Sequence, residues 1–365
     1  MSRPPPPKSH HHFSIPSSSF PKGFLVGGTH AGIKKKDSVL DLGILHSTIP
    51  RTTAAACFTR NAFKAAPVIV SDEVLTRNGG YARALVVNSG CANAVTGKQG
   101  LENAWSMAKE VNQLFISKKD NLGCEALVMS TGVIGVHLDI RKVIQGIHFF
   151  DPTSLSKCPD SLGSDFSSWE RFAKAFMTTD TFPKLRSHVF TIRGIEYRMA
   201  GVDKGAGMIH PNMGPASTSF SSSPNRQPHA TLLGCIATDA AVSPRSLQSA
   251  LTYAVDRSFN SISVDGDMST NDSIYIFANT AAVPTDKQQD HLIDEEKDPE
   301  SYHIFRDVLT NFAQDLAKLV VRDGEGATKF VTVAVKVDFL LFPSRTVIQA
   351  YSIHRVRQRT VTHTT

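Results

Sequence analysis

The sequence predicts a mixed α/β sandwich of layered sheets flanked by helices, not a clean doubly wound sheet. Three observations carry that prediction. Strand-length apolar runs occur at 84–87, 126–129, 232–236, 274–277 and 330–335. Between them lie segments whose apolar residues recur at helical spacing, such as Leu101, Trp105, Ala108, Val111 and Phe115. The connections include both hairpin-length and longer ones, and no short-period repeat is present.

Taken in order, the chain is expected to become ordered near Gly23. Residues 54–70 are apolar and β-branched with polar interruptions, which reads as short strands and turns. The strand at 84–87 runs into an Asn88-Ser89-Gly90 loop, and the strand at 126–129 into a Ser130-Thr131-Gly132 loop. Asp139 caps a helix that turns Ile140, Val143, Ile144 and Ile147 inward. From Asp151, Pro and Ser residues break the pattern into a loop. A third helix carries Trp169, Phe172, Ala173 and Phe176 and ends in Thr178-Thr179-Asp180-Thr181. The Gly-rich stretch from Lys204 leads into 214–229, a run of Ser, Pro, Asn and Gly with no apolar period.

Past this run, Leu232, Leu233, Cys235 and Ile236 read as a strand. Ser243-Pro244 starts a helix with Leu247, Leu251, Ala254 and Val255 on its buried face. The charged stretch 286–300 reads as a solvated loop. Phe305, Val308, Phe312, Leu316 and Leu319 mark a long helix closed by Asp323-Gly324-Glu325-Gly326.

The net charge of +6 is carried by the ends. Residues 1–36 hold Arg3, Lys8, Lys22, Lys34, Lys35 and Lys36 and no acid; residues 331–365 are also net basic, and the body between is net acidic. The body therefore offers no nucleic-acid footprint. The five cysteines form no C-x-x-C pair and are odd in number, which favours a reducing compartment over a disulfide framework. No window approaches 18 apolar residues, so no membrane span is expected. The acid-free, Ser-rich start of the chain suits an organellar transit segment.

Several motifs fail on inspection. Gly205-Ala206-Gly207 lacks the third Gly of a dinucleotide fingerprint, and Gln99 after Gly97-Lys98 excludes a P-loop. The 265–276 stretch has Thr270 where a calcium loop needs Gly and Ile276 where it needs Glu. No metal site is expected. What remains is a set of Gly- and hydroxyl-bearing loops at strand ends, the usual place for chemistry on an α/β scaffold. There, Gly N–H groups and Thr hydroxyls can serve a developing oxyanion. The Ala230-Thr231 pair stands at the mouth of an apolar strand. A small residue before such a Thr permits self-cleavage: the hydroxyl attacks the preceding carbonyl, and the freed amine then serves the same hydroxyl as a base.

The motifs FPKGFLVGGTHAGIKK, VVNSGCANAVTGKQG, MSTGVIG, MTTDTFPK, KGAGMIHPNM, ATLLGCIATDAAVSP, SFNSISVDGDMSTNDS and DGEGATKFVTV occur in this order. Together they resemble the ornithine acetyltransferase family in its fungal mitochondrial form. The resemblance implies a fold shared with DmpA-like aminopeptidases, cleavage between Ala230 and Thr231, and ping-pong acetyl transfer from N-acetylornithine to glutamate through Thr231. It implies an oxyanion hole from Thr131 and Gly132, and substrate contacts from Thr178 or Thr179, Lys204, Thr231 and Glu325. Lys204 is assigned a substrate carboxylate and Glu325 a substrate ammonium. It further implies a matrix enzyme with no resident cofactor, acetyl-CoA as an additional acetyl donor, and an α2β2 heterotetramer, with no nucleic-acid or membrane partner.

The expected divisions are a leader or transit segment (1–19), an α chain (20–230), a β chain (231–335) and a divergent tail (336–365). In two places the chain departs from the family pattern. Sixteen residues, 214–229, intervene where the family runs PNM straight into ATLLG, and the likeness stops after Val333, leaving the C-terminal part incomplete. The alternatives are an uncleaved, inactive, truncated product of the same family and a self-processing hydrolase of the related fold.

Overall fold

A computed structural model describes residues 8–116, 123–152, 161–215, 231–335 and 347–353. Strands β1 (Phe24–Thr29), β2 (Leu42–Ser47), β4 (Ala84–Cys91) and β5 (Ala126–Val133) form a four-stranded sheet in the order β1-β2-β4-β5. β3 (Thr53–Thr59), β6 (Lys184–Ile192), β7 (Ile195–Lys204), β8 (Met213–Pro215), β9 (Leu233–Thr238) and β11 (Ser273–Ala278) form a six-stranded sheet, ordered β6-β7-β9-β11-β3-β8. Short β10 (Ile262–Ser263), β12 (Lys329–Val335) and β13 (Val347–Ile353) make a third, small sheet. Strand pairs in both large sheets are antiparallel except β4–β5 and β9–β11.

Side-chain alternation along the six-stranded sheet divides the core in two. Ala54, Ala56, Phe58, Cys235, Ala237, Tyr275 and Phe277 join the apolar cluster shared with the four-stranded sheet. Ala55, Cys57, Ile236, Ile274, Ile276 and Ala278 point to the other face, where α5 (Pro244–Asp256) and α6 (Pro299–Asp323) cover it. With both faces covered, these strands read as continuous apolar runs. Helices α2 (Gly97–Phe115) and α3 (Ile140–His148) pack on the four-stranded sheet, while α1 (Ala66–Arg77) and α4 (Phe166–Phe176) touch both sheets. The expected mixed sandwich is the observed architecture.

Several local readings need correction. Residues 66–77 are a helix, not strands and turns: Pro67 sits in the first turn, where its missing N–H costs nothing, and Val68, Val70 and Val74 are buried. A short apolar run buried on most sides carries no helical period. Asn88-Ser89-Gly90 and Ser130-Thr131-Gly132 are not loops after strands but the paired ends of β4 and β5. The β6–β7 hairpin escaped notice because charged residues interrupt both strands. Its Arg193-Gly194 turn has φ of 49° and 76°, the double positive φ of a two-residue hairpin.

Order also starts earlier than Gly23. Ile15 and Phe20 are buried, with Phe20 stacked on Trp169 at 5.3 Å. Within 214–229, Gly214 and Pro215 belong to β8 and pair with Phe58 and Cys57; residues 216–229, and Ala230 after them, lie outside the described residues. The charged 286–300 stretch is anchored by the fully buried Ile293, whose amide donates to Ala241 O at 2.8 Å and whose carbonyl accepts from Ser243 N at 3.1 Å.

Candidate active site

Thr231 lies two residues before the start of β9, which runs between β7 and β11. β7 ends at Lys204, which pairs with Leu233. The antiparallel register therefore brings the last residue of one strand beside the first residues of the next. Both side chains are fully buried. Lys204 Nζ donates to the Thr231 carbonyl at 2.7 Å and to Thr131 Oγ1 at 3.2 Å, joining residues from both large sheets. An ammonium has three donors, so one remains after these two bonds. Burial pushes Lys204 below its ordinary range, with Lys184 acting in the same sense and Asp180, Asp272 and Glu325 opposing it.

The Thr231 hydroxyl lies 2.8 Å from Ser269 Oγ. Asp272 secures the backbone on both sides of this pair: Oδ1 accepts from Leu232 N at 2.9 Å and Oδ2 from Ser269 N at 3.2 Å. Full burial raises Asp272 to about 7, against the lowering effect of those two amides and of Lys204. Asn271 extends the brace to the other sheet, donating from Nδ2 to Ala92 O at 2.8 Å and to Ser130 O at 2.9 Å.

Gly132 sits where β4 and β5 lose register, with Cys91 opposite both Thr131 and Val133. Its φ is +128°, and a methyl group there would lie 2.4 Å from the Gly90 carbonyl carbon. Only glycine fits this bulge.

The remaining expected contacts stand on three loops tied by buried charge. Asp180 Oδ2 accepts from Thr178 N at 2.9 Å, and its Oδ1 accepts from Lys184 Nζ at 2.6 Å and Gly205 N at 2.8 Å. Lys184 also donates to Asp323 at 2.7 Å, and Asp323 accepts from the backbone and hydroxyl of Thr181. Burial works to raise Asp180, but Lys184 and Lys204 outweigh it and hold the carboxyl well below the usual range. Two residues past Asp323, the Glu325 amide donates to Ala206 O at 2.7 Å, and its carboxyl lies where a Cβ on Gly207 would stand at 2.9 Å. Thr178 Oγ1 is buried without a partner among the described residues, while Thr179 is exposed.

The fold therefore joins Thr131, Lys204 and Thr231 by direct hydrogen bonds, with Gly132 adjacent. Thr178 and Glu325 are tied to them through the Asp180–Lys184–Asp323 cluster. Sequence reasoning missed Ser269, Asn271 and Asp272. The stretch carrying them was rejected as a calcium loop, yet its density of short polar side chains just before β11 was the signal for a hydrogen-bonding turn. Among the described residues no group of His, Cys, Asp and Glu could hold a metal ion, and no helix is long and apolar enough to cross a membrane.

Comparison with known proteins adds an independent finding. The chain is 66% identical over 336 residues to the mitochondrial arginine biosynthesis bifunctional protein ArgJ of Coprinopsis cinerea, covering 92% of this chain and 68% of that protein. It is 64% identical over 326 residues to the protein of the same name from Laccaria bicolor, covering 89% of this chain and 66% of the relative. The chain thus spans about two thirds of the length of these curated relatives. Among solved structures, an ArgJ from Bacillus halodurans is 34% identical, with a TM-score of 0.47, over 55% of this chain and 95% of that one. An ornithine acetyltransferase complexed with ornithine, from Mycobacterium tuberculosis, is 30% identical, with a TM-score of 0.43, over 55% and 96%. The profile of the ArgJ family matches residues 25–338, and the chain belongs to that family.

Proposed function

We propose that this chain is a self-processing acetyltransferase of arginine biosynthesis, moving acetyl from N-acetylornithine to glutamate through Thr231. The observation that carries the reading is the Thr231–Lys204–Thr131 junction. A buried hydroxyl precedes a central strand, with a buried ammonium bonded to its own carbonyl and to a second threonine hydroxyl.

In the processing step, Thr231 Oγ1 bonds to the Ala230 carbonyl carbon and the Ala230–Thr231 C–N bond breaks. The hydroxyl proton passes to the departing nitrogen. Water then hydrolyses the resulting ester, leaving an α chain ending at Ala230 and a β chain beginning with a free α-amine. That amine, with a pKa near ~8, is a usable base at neutral to slightly alkaline pH. In transfer, Oγ1 attacks the acetyl carbon of N-acetylornithine, ornithine leaves with a proton on its nitrogen, and the glutamate amine takes acetyl from the Thr231 ester.

Thr131 and the Gly132 amide serve the oxyanion in each step. The free donor of Lys204 is available to a substrate carboxylate and the Glu325 carboxylate to a substrate ammonium, with Thr178 and Thr179 lining the same approach. Acetyl-CoA serves as a second acetyl donor, and the two chains associate as an α2β2 tetramer in the mitochondrial matrix; the fungal relatives are named as mitochondrial.

Purified protein run on a denaturing gel and sequenced from its N-termini tests the reading. A fragment beginning at Thr231 is expected; a single uncleaved band overturns it for this chain. Thr231→Ala should abolish both cleavage and transfer, and transfer retained in that variant means another nucleophile.

A further inference from the structure

From the hydrogen-bond pattern around Thr231 we infer that Ser269 is a catalytic hydrogen-bond donor to Thr231 Oγ1. Its role is to stabilise that oxygen as it leaves the acetyl ester. The inference rests on Thr231 as the acetyl-carrying nucleophile and adds to it a residue that acts in one half-reaction more than in the other.

The Ser269 and Thr231 hydroxyls lie 2.8 Å apart, and in the free enzyme either can donate. Ser269 Oγ also accepts the Asn271 amide at 3.0 Å. Once Thr231 Oγ1 carries acetyl it has no proton left, so from that point the contact runs only from the Ser269 hydroxyl to Thr231 Oγ1. Its orientation is fixed on every side. Its amide is held by Asp272 at 3.2 Å, its carbonyl accepts from Thr59 Oγ1 at 2.8 Å, and its side chain is fully buried. Asn271, whose amide sets the orientation of the hydroxyl, is itself pinned to Ala92 and Ser130 of the opposite sheet.

Capture and release pass through the same kind of transition state, in which the C–Oγ1 bond is partly made and Oγ1 carries partial negative charge, and a fixed donor is worth most there. The two steps differ in their starting states: the free Thr231 hydroxyl already shares a hydrogen bond with Ser269, whereas an ester oxygen is a poor acceptor, so the full gain is realised from the acetyl-enzyme. In release, an acceptor amine attacks the acetyl-Thr231 ester. The new N–C bond forms, the C–Oγ1 bond breaks, and its electron pair goes to Oγ1 opposite the Ser269 hydroxyl. The proton shed by the acceptor nitrogen returns to Oγ1 through the Thr231 α-amine, so the step needs no further reactant. Ser269 thus favours release of acetyl from the enzyme over its capture.

The test is Ser269→Ala in the full chain, followed by the mass of the β fragment during turnover of N-acetylornithine with glutamate. Capture of acetyl by Thr231 should slow less than its release. Steady-state transfer should fall about tenfold to a hundredfold, the range for one lost donor to a charged oxygen. The acetylated β fragment should accumulate, and Ser269→Thr, which keeps the hydroxyl, should restore turnover.

Parent-like turnover in Ser269→Ala, or slowed turnover with the unacetylated fragment predominating, overturns the inference while leaving Thr231 as nucleophile. Absence of acetyl on Thr231 in the parent protein overturns both. Should Ser269→Ala fail to process, Ser269→Cys decides the matter. Its weaker S–H donor must raise the acetylated fraction above that of the parent, and an unchanged fraction refutes the donor role.

Discussion

Gly132→Ala probes the bulge on which the proposed oxyanion site is built. Two costs can be read separately. The φ of +128° is one that residues with a Cβ rarely adopt, which costs about 1–3 kcal/mol. The added methyl would also lie 2.4 Å from Gly90 C and 2.7 Å from both Gly90 O and Cys91 N. These are backbone atoms of a paired strand and cannot rotate aside, so the sheet must shift at a further cost of about 1–3 kcal/mol. The total, about 2–6 kcal/mol, is a large part of the roughly 5–15 kcal/mol that holds a domain folded. Gly135→Ala is the control: its φ is +75°, but nothing lies within 4 Å of the added methyl, so it should show the strain cost alone. Urea unfolding of the two variants beside the parent, with transfer rate measured on the folded fraction, makes the comparison. Equal destabilisation by both substitutions, or a Gly132→Ala cost below about 1 kcal/mol, would refute the steric argument.

Two other outcomes follow from the buried charges. Lys204→Met removes the donor shared by the Thr231 carbonyl and Thr131 while keeping the bulk of the side chain. Processing and transfer should drop at least about a hundredfold, and stability should fall by about 3–5 kcal/mol because buried Asp180 loses a balancing charge; parent-like processing would remove Lys204 from the site. Asp203→Asn should stabilise the protein at pH 8 and leave it nearly unchanged at pH 4. Burial raises the Asp203 carboxyl well above its ordinary range, and both its oxygens lack hydrogen-bond partners among the described residues. A folded-state pKa above the unfolded value of about 4 gives stability that is complete below that value and is lost as pH rises through the folded one. A difference in urea midpoint that does not change between the two pH values would contradict this.

What was legible in the sequence had a local cause. α5 and α6 showed themselves by periodic apolar residues, together with the Ser243-Pro244 start in α5 and the closing Asp-Gly-Glu-Gly in α6. Strands β9 and β11 showed themselves because both faces are buried and every position is apolar or small. The hairpin β6–β7 did not, because Lys184, Asp203 and Lys204 break the apolar pattern, and they are tolerated only through tertiary partners or protonation. The same holds for the site. Thr131, Lys204 and Thr231 were named from motifs, but no spacing rule brings 131, 204 and 231 to within hydrogen-bond distance. The polar turn of Ser269 and Asp272 was legible as a turn but not as part of the site: that depends on β9 and β11 lying parallel side by side, so that the turn before one strand faces the segment before the other.

The buried charges also bear on specificity. Lys184 is shared by Asp180 and Asp323, and its ammonium is held above the ordinary lysine range by those two carboxylates despite burial. Such a cluster contributes little net stability, because desolvation of each charge offsets the attraction. Its value is positional: Asp180 fixes the Thr178 and Gly205 backbones, and Asp323 fixes the Thr181 backbone and leads directly into Glu325. Burial drives Asp203 toward its neutral form, and Asp180 and Asp323 both face Lys184 directly. The charges left for a ligand are then separate and of opposite sign: the unused donor of Lys204 at the buried end and the exposed Glu325 carboxylate at the rim. That arrangement suits a small molecule carrying a carboxylate and an ammonium a few bonds apart, as an amino acid does. It disfavours a dicarboxylate that presents no ammonium, because Glu325 would then face a like charge.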